Sequence, residues 1–196
     1  MGIIKKHNQV KLIIGLIFRE ERQEDTLLKA LNILKARFGE IDLQSRPLEF
    51  NHTDYYKDEL GTNLKRIFLS FKKLIPPERL ADIKVFTNKI EKKLSKNKLR
   101  KINIDPGYID LPRLVLASTK NFAHRIYLGK GIYGEITLLW QDKAYKTLDW
   151  TFPDYKTKEY TDADVPNPGD LNRRAAIKIG KTYKPTYARL LIRKKK

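Results

Sequence analysis

Two stretches of helical periodicity stand among strand-length apolar runs, and their order restricts the fold more than any other feature of the chain. Residues 24–38 place Leu27, Leu31, Leu34 and Phe38 on one helical face, and Leu28 widens it. Glu24 or Asp25 stands where an N-cap belongs, and Gly39 where a left-handed C-cap residue belongs. Residues 76–94 repeat the pattern. Pro76, Pro77 and Glu78 open a helix whose stripe is Leu80, Ile83, Phe86, Ile90 and Leu94. Proline fits the first turn because the N–H it lacks has no intrahelical partner there. Around these helices lie strand-like runs. Residues 11–18 are nearly continuously apolar, the mark of a central strand. Residues 41–50 alternate, with Pro47 favouring an edge or a bulge. Residues 64–74 and 101–104 read as two more strands. The order β-α-β-β-α-β is the ferredoxin-like pattern, with two helices covering one face of an antiparallel sheet. The expected fold class is α+β: a ferredoxin-like βαββαβ core, an added C-terminal β-hairpin and a basic tail.

The connections carry their own signals. Residues 51–63 form a polar, aromatic-rich link holding His52, Asp54, Tyr55 and Tyr56, and residues 95–101 form a basic linker. Asp105-Pro106-Gly107-Tyr108 has the residues of a type II turn. Residues 111–119 read as a short helix with Pro112 in its first turn. Residues 123–128 and 132–140 read as a hairpin joined at Gly129-Lys130-Gly131, and residues 144–151 as a further strand. Residues 161–170 are rich in Asp, Pro, Asn and Gly and read as a linker. The expected organisation is one domain over residues 1–160, the linker, and a basic tail at 171–196.

Composition narrows the function classes. With 196 residues, 41% hydrophobic and 33% charged, the chain can bury a real core under a charged surface. No apolar run approaches the roughly 18 residues of a membrane span. The basic start lacks an adequate signal-peptide core, so a cytoplasmic location is expected. Cysteine is absent, which excludes disulfides, thiolate metal sites and a cysteine nucleophile. The net charge is +18, and the ten cations after Asp170 leave only +8 for residues 1–170. Arg173, Arg174, Lys178, Lys181 and Arg189, interleaved with Ile177, Tyr183 and Tyr187, suit a nucleic-acid-binding tail in which rings stack and cations track phosphates. A solubility tail, or a terminal strand packing its tyrosines on the body, fits the same residues.

Candidate chemistry concentrates in residues 103–138. Gly129, Gly131 and Gly134 match GxGxxG by letter, but a β-rich run follows instead of the helix the motif needs, so a hairpin turn is the better reading. No P-loop string and no GxSxG elbow occur. His124 and Arg125 are neighbours in an expected strand, so alternation assigns them to opposite faces. Arg125 shares its face with Tyr127, and His124 shares its own with Ile126 and Leu128. Arg125 suits a phosphate or carboxylate; a surface salt bridge suits it equally. Asp105, His124 and Glu135 are candidate catalytic acid–base groups or ligands of a divalent metal, although no His-Glu-x-x-His or paired Asp motif stands behind a metal site. The structural alternative is a core histidine and a turn-forming aspartate. No motif identifies a cofactor.

Several strings resemble an uncharacterised bacterial family classed as a domain of unknown function, some members of which carry the label "GTP-binding protein". They are KLIIGLIF (11–18), ARFGEIDL (36–43), DYY (54–56), LKRIFLSF (64–71), NIDPGY (103–108), LVLASTK (114–120), HRIYLGKGIYGEITL (124–138) and WTFPDY (150–155). The resemblance covers residues 11 to about 160 and implies kinship without an activity. The tail after Asp162 departs from the pattern.

The expected function is the binding of an anionic ligand, RNA or a nucleotide. Lys120, Arg125 and Lys130 would contact phosphate, and Tyr108 and Tyr127 would stack. One alternative is a metal-dependent enzyme acting on a phosphoester or nucleotide; another is a protein-interaction or scaffold module. Removal of residues 171–196 is expected to abolish most salt-sensitive RNA binding. A steep salt dependence surviving in the truncated chain would place the polyanion site on the body instead.

Overall fold

The apolar run at residues 11–18 becomes an interior strand of a sheet, buried on both faces as its composition requires. The structure is a computed structural model that describes residues 2–19, 24–51 and 53–157. In chain order its elements are β1 (Lys11–Arg19), α1 (Glu24–Phe38), β2 (Ile41–Gln44), β3 (Leu48–Phe50), α2 (Lys57–Leu60), β4 (Leu64–Phe71), α3 (Leu80–Leu94) and β5 (Ile102–Ile109). There follow β6 (Arg113–Ser118), β7 (Ile126–Gly129), β8 (Ile132–Gln141) and β9 (Ala144–Thr147). Short 3-10 turns at Asp54–Tyr56, Pro77–Arg79 and Pro153–Lys156 complete the described chain. The linker and basic tail expected at 161–196, with Arg173, Arg174, Lys178, Lys181 and Arg189, lie outside the described residues, as does His52.

Nine antiparallel strands form one sheet, in the order β2-β4-β1-β5-β6-β8-β7, with β3 beside β4 and β9 beside β8. The sheet is therefore larger than a four-stranded core with one hairpin. Helices α1 and α3 cover one face. Leu27, Ala30 and Leu34 of α1 and Ile83 and Ile90 of α3 pack on Leu12, Ile14, Leu16 and Phe18 of β1, with Ile67, Leu69 and Phe71 of β4 beside them. The opposite face is covered where the chain returns after β9 and lays Tyr155 against Ile13, Phe68, Leu116 and Leu138. No helix among the described residues is long and apolar enough to cross a membrane.

Two local expectations are overturned. The stretch 111–119 forms no helix; Arg113–Ser118 within it is strand β6. Alternation explains it: Val115 and Ala117 face the start of α3, while Leu114 and Leu116 face the Tyr155 side. A helix would have put these four apolar residues around one cylinder, whereas pairing with β8 buries all of them. The Asp105–Tyr108 string lies inside β5, and Gly107 takes no positive φ. Its lack of a side chain serves close approach instead: a Cβ there would sit 2.5 Å from the Val115 carbonyl oxygen and 2.6 Å from Leu116 Cδ2. The hairpin at Gly129-Lys130-Gly131 does form, with φ of 97°, 58° and 73°, but β7 begins at Ile126, three residues later than expected.

Strands β5 and β6 pair only from Gly107 to Ile109 against Leu114 to Leu116. On β1, by contrast, β5 pairs along its whole length. Residues 102–106 therefore present an edge with no strand beside it, and a cleft opens between β5 and β6. Because Gly107 sits where the two strands are closest, Gly107→Ala is expected to lower stability by about 1–3 kcal/mol, the usual cost of an inserted methyl in a packed site. Urea denaturation measures it, and an unchanged midpoint would refute the close-approach role.

Candidate functional site

The cleft between β5 and β6 has a volume of about 610 Å³, within the ~300–1,000 Å³ typical of ligand sites. It exists because one strand edge is satisfied by side chains. Backbone groups of alternate residues along a strand point to the same edge. Asp110, whose N–H donates to the Arg113 carbonyl, marks the β6 side of β5. Ile104 points the same way with no strand to meet. Its N–H donates to Glu91 Oε1 at 2.6 Å, and its carbonyl accepts from Lys84 Nζ at 3.1 Å. Pro106, between them, has no N–H to offer. Lys84 and Glu91 stand seven residues apart on α3 and are both buried, with Asn88 of the same face also lining the cleft.

A chain of charges continues from there. Lys84 Nζ also donates to Asp105 Oδ1 at 2.9 Å, and Asn103 Nδ2 donates to Asp105 Oδ2 at 2.6 Å. Burial acts to raise the Asp105 pKa, but Lys84 and Arg66 outweigh it and hold the carboxyl below its ordinary value. Arg66 is paired with Asp154, and its guanidinium carbon lies 4.9 Å from the Phe50 ring centroid and 5.3 Å from that of Tyr155. Arg100 bonds Glu59, Glu91 and Asn103. Glu91 moves oppositely to Asp105: burial, reinforced by the Asp105 charge, pushes its pKa above the ordinary value despite Lys84 and Arg100. Burial likewise raises the Tyr56 phenol.

The far wall carries Glu135, only 2% exposed. Its Oε2 accepts from Arg125 Nε at 2.7 Å and lies 3.2 Å from His124 Nε2. Arg125 Nη1 donates to Ser118 Oγ and to the Lys120 carbonyl. His124 and Arg125 thus meet the same carboxylate. The alternation argument does not apply, since both precede β7. At the mouth, Lys120 Nζ sits 3.8 Å from the Tyr55 ring centroid, joining opposite rims.

The structure distributes the sequence-derived candidates unevenly. Asp105, Glu135, Lys120 and Arg125 line the cleft. His124 lies on its outer side, stacked on Trp150 at 5.2 Å. Lys130 pairs with Asp82 on α3, and Tyr108 packs beside Val115 under α3. Tyr127 is exposed near the hairpin, its hydroxyl accepting from the Gly131 N–H. Among the described residues, no group of three or more His, Asp or Glu side chains is placed to hold a metal ion, so Asp105, His124 and Glu135 share no coordination position. Sequence reading missed Arg66, Lys84, Glu91, Arg100 and Asp154. Three of them carried a signal: Arg66 is a charge within the largely apolar run of β4, and Lys84 and Glu91 border the apolar stripe of α3.

Fold and cleft together define an α+β protein whose sheet splits around a charge-lined cavity. The chain belongs to the DUF4416 family, a domain of unknown function, whose profile matches residues 8–163. No curated protein and no solved structure compared with the chain matches it. The strings DYY, LKRIFLSF, NIDPGY, LVLASTK and WTFPDY each contribute residues to the cleft wall.

Because Glu91 binds its proton more tightly in the folded chain, its contribution to stability is fully present below its ordinary value of 4.5. That contribution is lost as pH rises through the raised folded value. Glu91→Gln keeps an acceptor for the Ile104 N–H and does not titrate. The stability advantage of the natural chain over this variant should shrink as pH rises from about 4.5. Denaturation at stepped pH reads it, and an advantage that grows with pH would overturn the assignment.

Proposed function

We propose that the protein binds a small anionic ligand of the nucleotide class in the cleft between β5 and β6. The observation that carries this reading is Lys120. Among the described residues it is the one cation lining the cleft with no carboxylate partner, and its ammonium rests only on the Tyr55 ring at the mouth. Arg66, Lys84, Arg100 and Arg125 are each paired with a carboxylate. Arg125, fixed through Nε and Nη1, keeps Nη2 outside those bonds, so a preoriented guanidinium and a free ammonium stand together. That pair suits a phosphate or carboxylate group. The cleft volume suits a small molecule, and the edge of β5 is already occupied by Lys84 and Glu91, which disfavours an added peptide strand.

For the fold, we infer a ferredoxin-like core within the larger sheet. The order β2-β4-β1-β5, antiparallel throughout, with α1 and α3 on one face, supports that reading.

Calorimetric titration with a nucleoside 5′-diphosphate tests the function. Lys120→Ala removes an exposed side chain and should leave the fold intact. It is expected to weaken binding by about 1.5–3 kcal/mol, the size of a lost hydrogen bond to a charged group. Equal affinity in the natural chain and in Lys120→Ala would sink the assignment, as would the absence of binding.

A further inference from the structure

A second, shallower cavity adjoins the cleft, lined by Phe122, His124, Arg125, Asp149, Trp150 and Phe152. Arg125 and Phe152 belong to both cavities and form the ridge between them, the guanidinium carbon 5.9 Å from the ring centroid. The two differ in what covers their aromatic rings. In the cleft the rings carry cations: Arg66 over Phe50 and Tyr155, Arg100 over Tyr56, Lys120 over Tyr55. On the shelf, Phe122 is 63% and Trp150 41% exposed, and the ring each meets is the His124 imidazole between them, with no cation over either among the described residues. The indole is fixed as well as open, since Trp150 Nε1 donates to the Ile136 carbonyl at 2.9 Å.

We propose that this shelf is the subsite for a planar heteroaromatic ring, whose attached anionic group reaches over the Arg125–Phe152 ridge to Lys120. The inference rests on the cleft being an anion site, and it assigns the two halves of one ligand to two cavities. Stacking favours exposed ring surface that no cation already occupies; Phe122 and Trp150 offer it, whereas Phe50, Tyr55, Tyr56 and Tyr155 of the cleft each carry a cation. Asp149, which lines the shelf, brings a negative charge that disfavours an anionic group there and so sets the ligand's direction. Arg125, held by Glu135 and Ser118, stands at the junction where ring and anion would be joined.

The test uses the full chain carrying Trp140→Phe. Trp140 packs on Tyr145, away from both cavities, and its replacement leaves Trp150 as the sole tryptophan. Titration with a nucleoside 5′-monophosphate should change Trp150 emission saturably, and ribose 5-phosphate should leave it unchanged. Without the ring, affinity should fall about tenfold, as expected for one lost stacking contact. Trp150→Ala should reduce nucleotide affinity by about the same factor without altering that for ribose 5-phosphate. Phe122→Ala, which breaks no hydrogen bond, should act in the same direction. If both compounds bind equally, depend on Lys120, and ignore Trp150→Ala and Phe122→Ala, the shelf is refuted and the cleft reading stands. If neither binds, both are refuted.

Discussion

Where β5 and β6 part, the N–H and carbonyl of Ile104 lose a sheet partner, and Glu91 and Lys84 of α3 take its place. A buried backbone group left unpaired costs about 1–3 kcal/mol, so a sheet that splits over its core must fill such positions. Side chains that reach them from a helix are themselves buried and carry charge. Lys84 then requires Asp105, and Glu91 requires Arg100. Arg100 in turn engages Glu59, beyond the turn after β3. One topological decision, the three-residue pairing of β5 with β6, therefore propagates into most of the polar wall of the cavity.

The same logic explains why the charges do not collapse the cleft. Four carboxylates, Glu91, Asp105, Glu135 and Asp154, are distributed among Arg66, Lys84, Arg100 and Arg125, so each cation is held back against a wall. Pairing of this kind offsets desolvation more than it adds stability. Its main effect is geometric: it fixes side chains that would otherwise sample many rotamers. Only at the mouth, where water screens charge, is Lys120 left on an aromatic face. The opposite pKa directions of Asp105 and Glu91 follow from position along this chain. Each faces two cations, Lys84 and Arg66 at Asp105 and Lys84 and Arg100 at Glu91, but at Glu91 burial together with the Asp105 charge prevails.

Elements with one simple burial pattern, one-sided in α1 and two-sided in β1, were legible in the sequence. The α1 boundaries emerge from apolar spacing and Gly39, and β1 from an uninterrupted apolar run. Residues 111–119 misread because Leu114 to Ala117 are apolar without visible alternation, and only the presence of α3 on one face and Tyr155 on the other makes them a strand. The Asp-Pro-Gly-Tyr string misread for a related reason. Its proline and glycine do punctuate structure, but they end a strand pairing rather than reverse the chain. At the site, Asp105, Lys120, Arg125 and Glu135 stood out locally and line one cavity. Arg66, Lys84, Arg100 and Asp154 were passed over even where, as at Arg66 and Lys84, a local signal existed, because their roles depend on partners far along the chain, as with Arg66 and Asp154, 88 residues apart.

The division between a cation-covered cleft and a bare aromatic shelf follows from how buried arginines are accommodated. A guanidinium is a planar, weakly hydrated cation that tolerates burial when a carboxylate meets its edge and a ring meets its face. Arg66 has both, in Asp154 and the surrounding rings of Phe50, Phe68 and Tyr155. Rings recruited for that purpose are no longer stacking platforms. Rings free of a cation remain where no guanidinium or ammonium needs covering. Beyond the Arg125 ridge the neighbouring group is the His124 imidazole, which stacks on Trp150 and meets Phe122 at a tilt, leaving both rings partly exposed. The arrangement that stabilises charge inside the cleft thus leaves its cation-free aromatic rings at the outer edge.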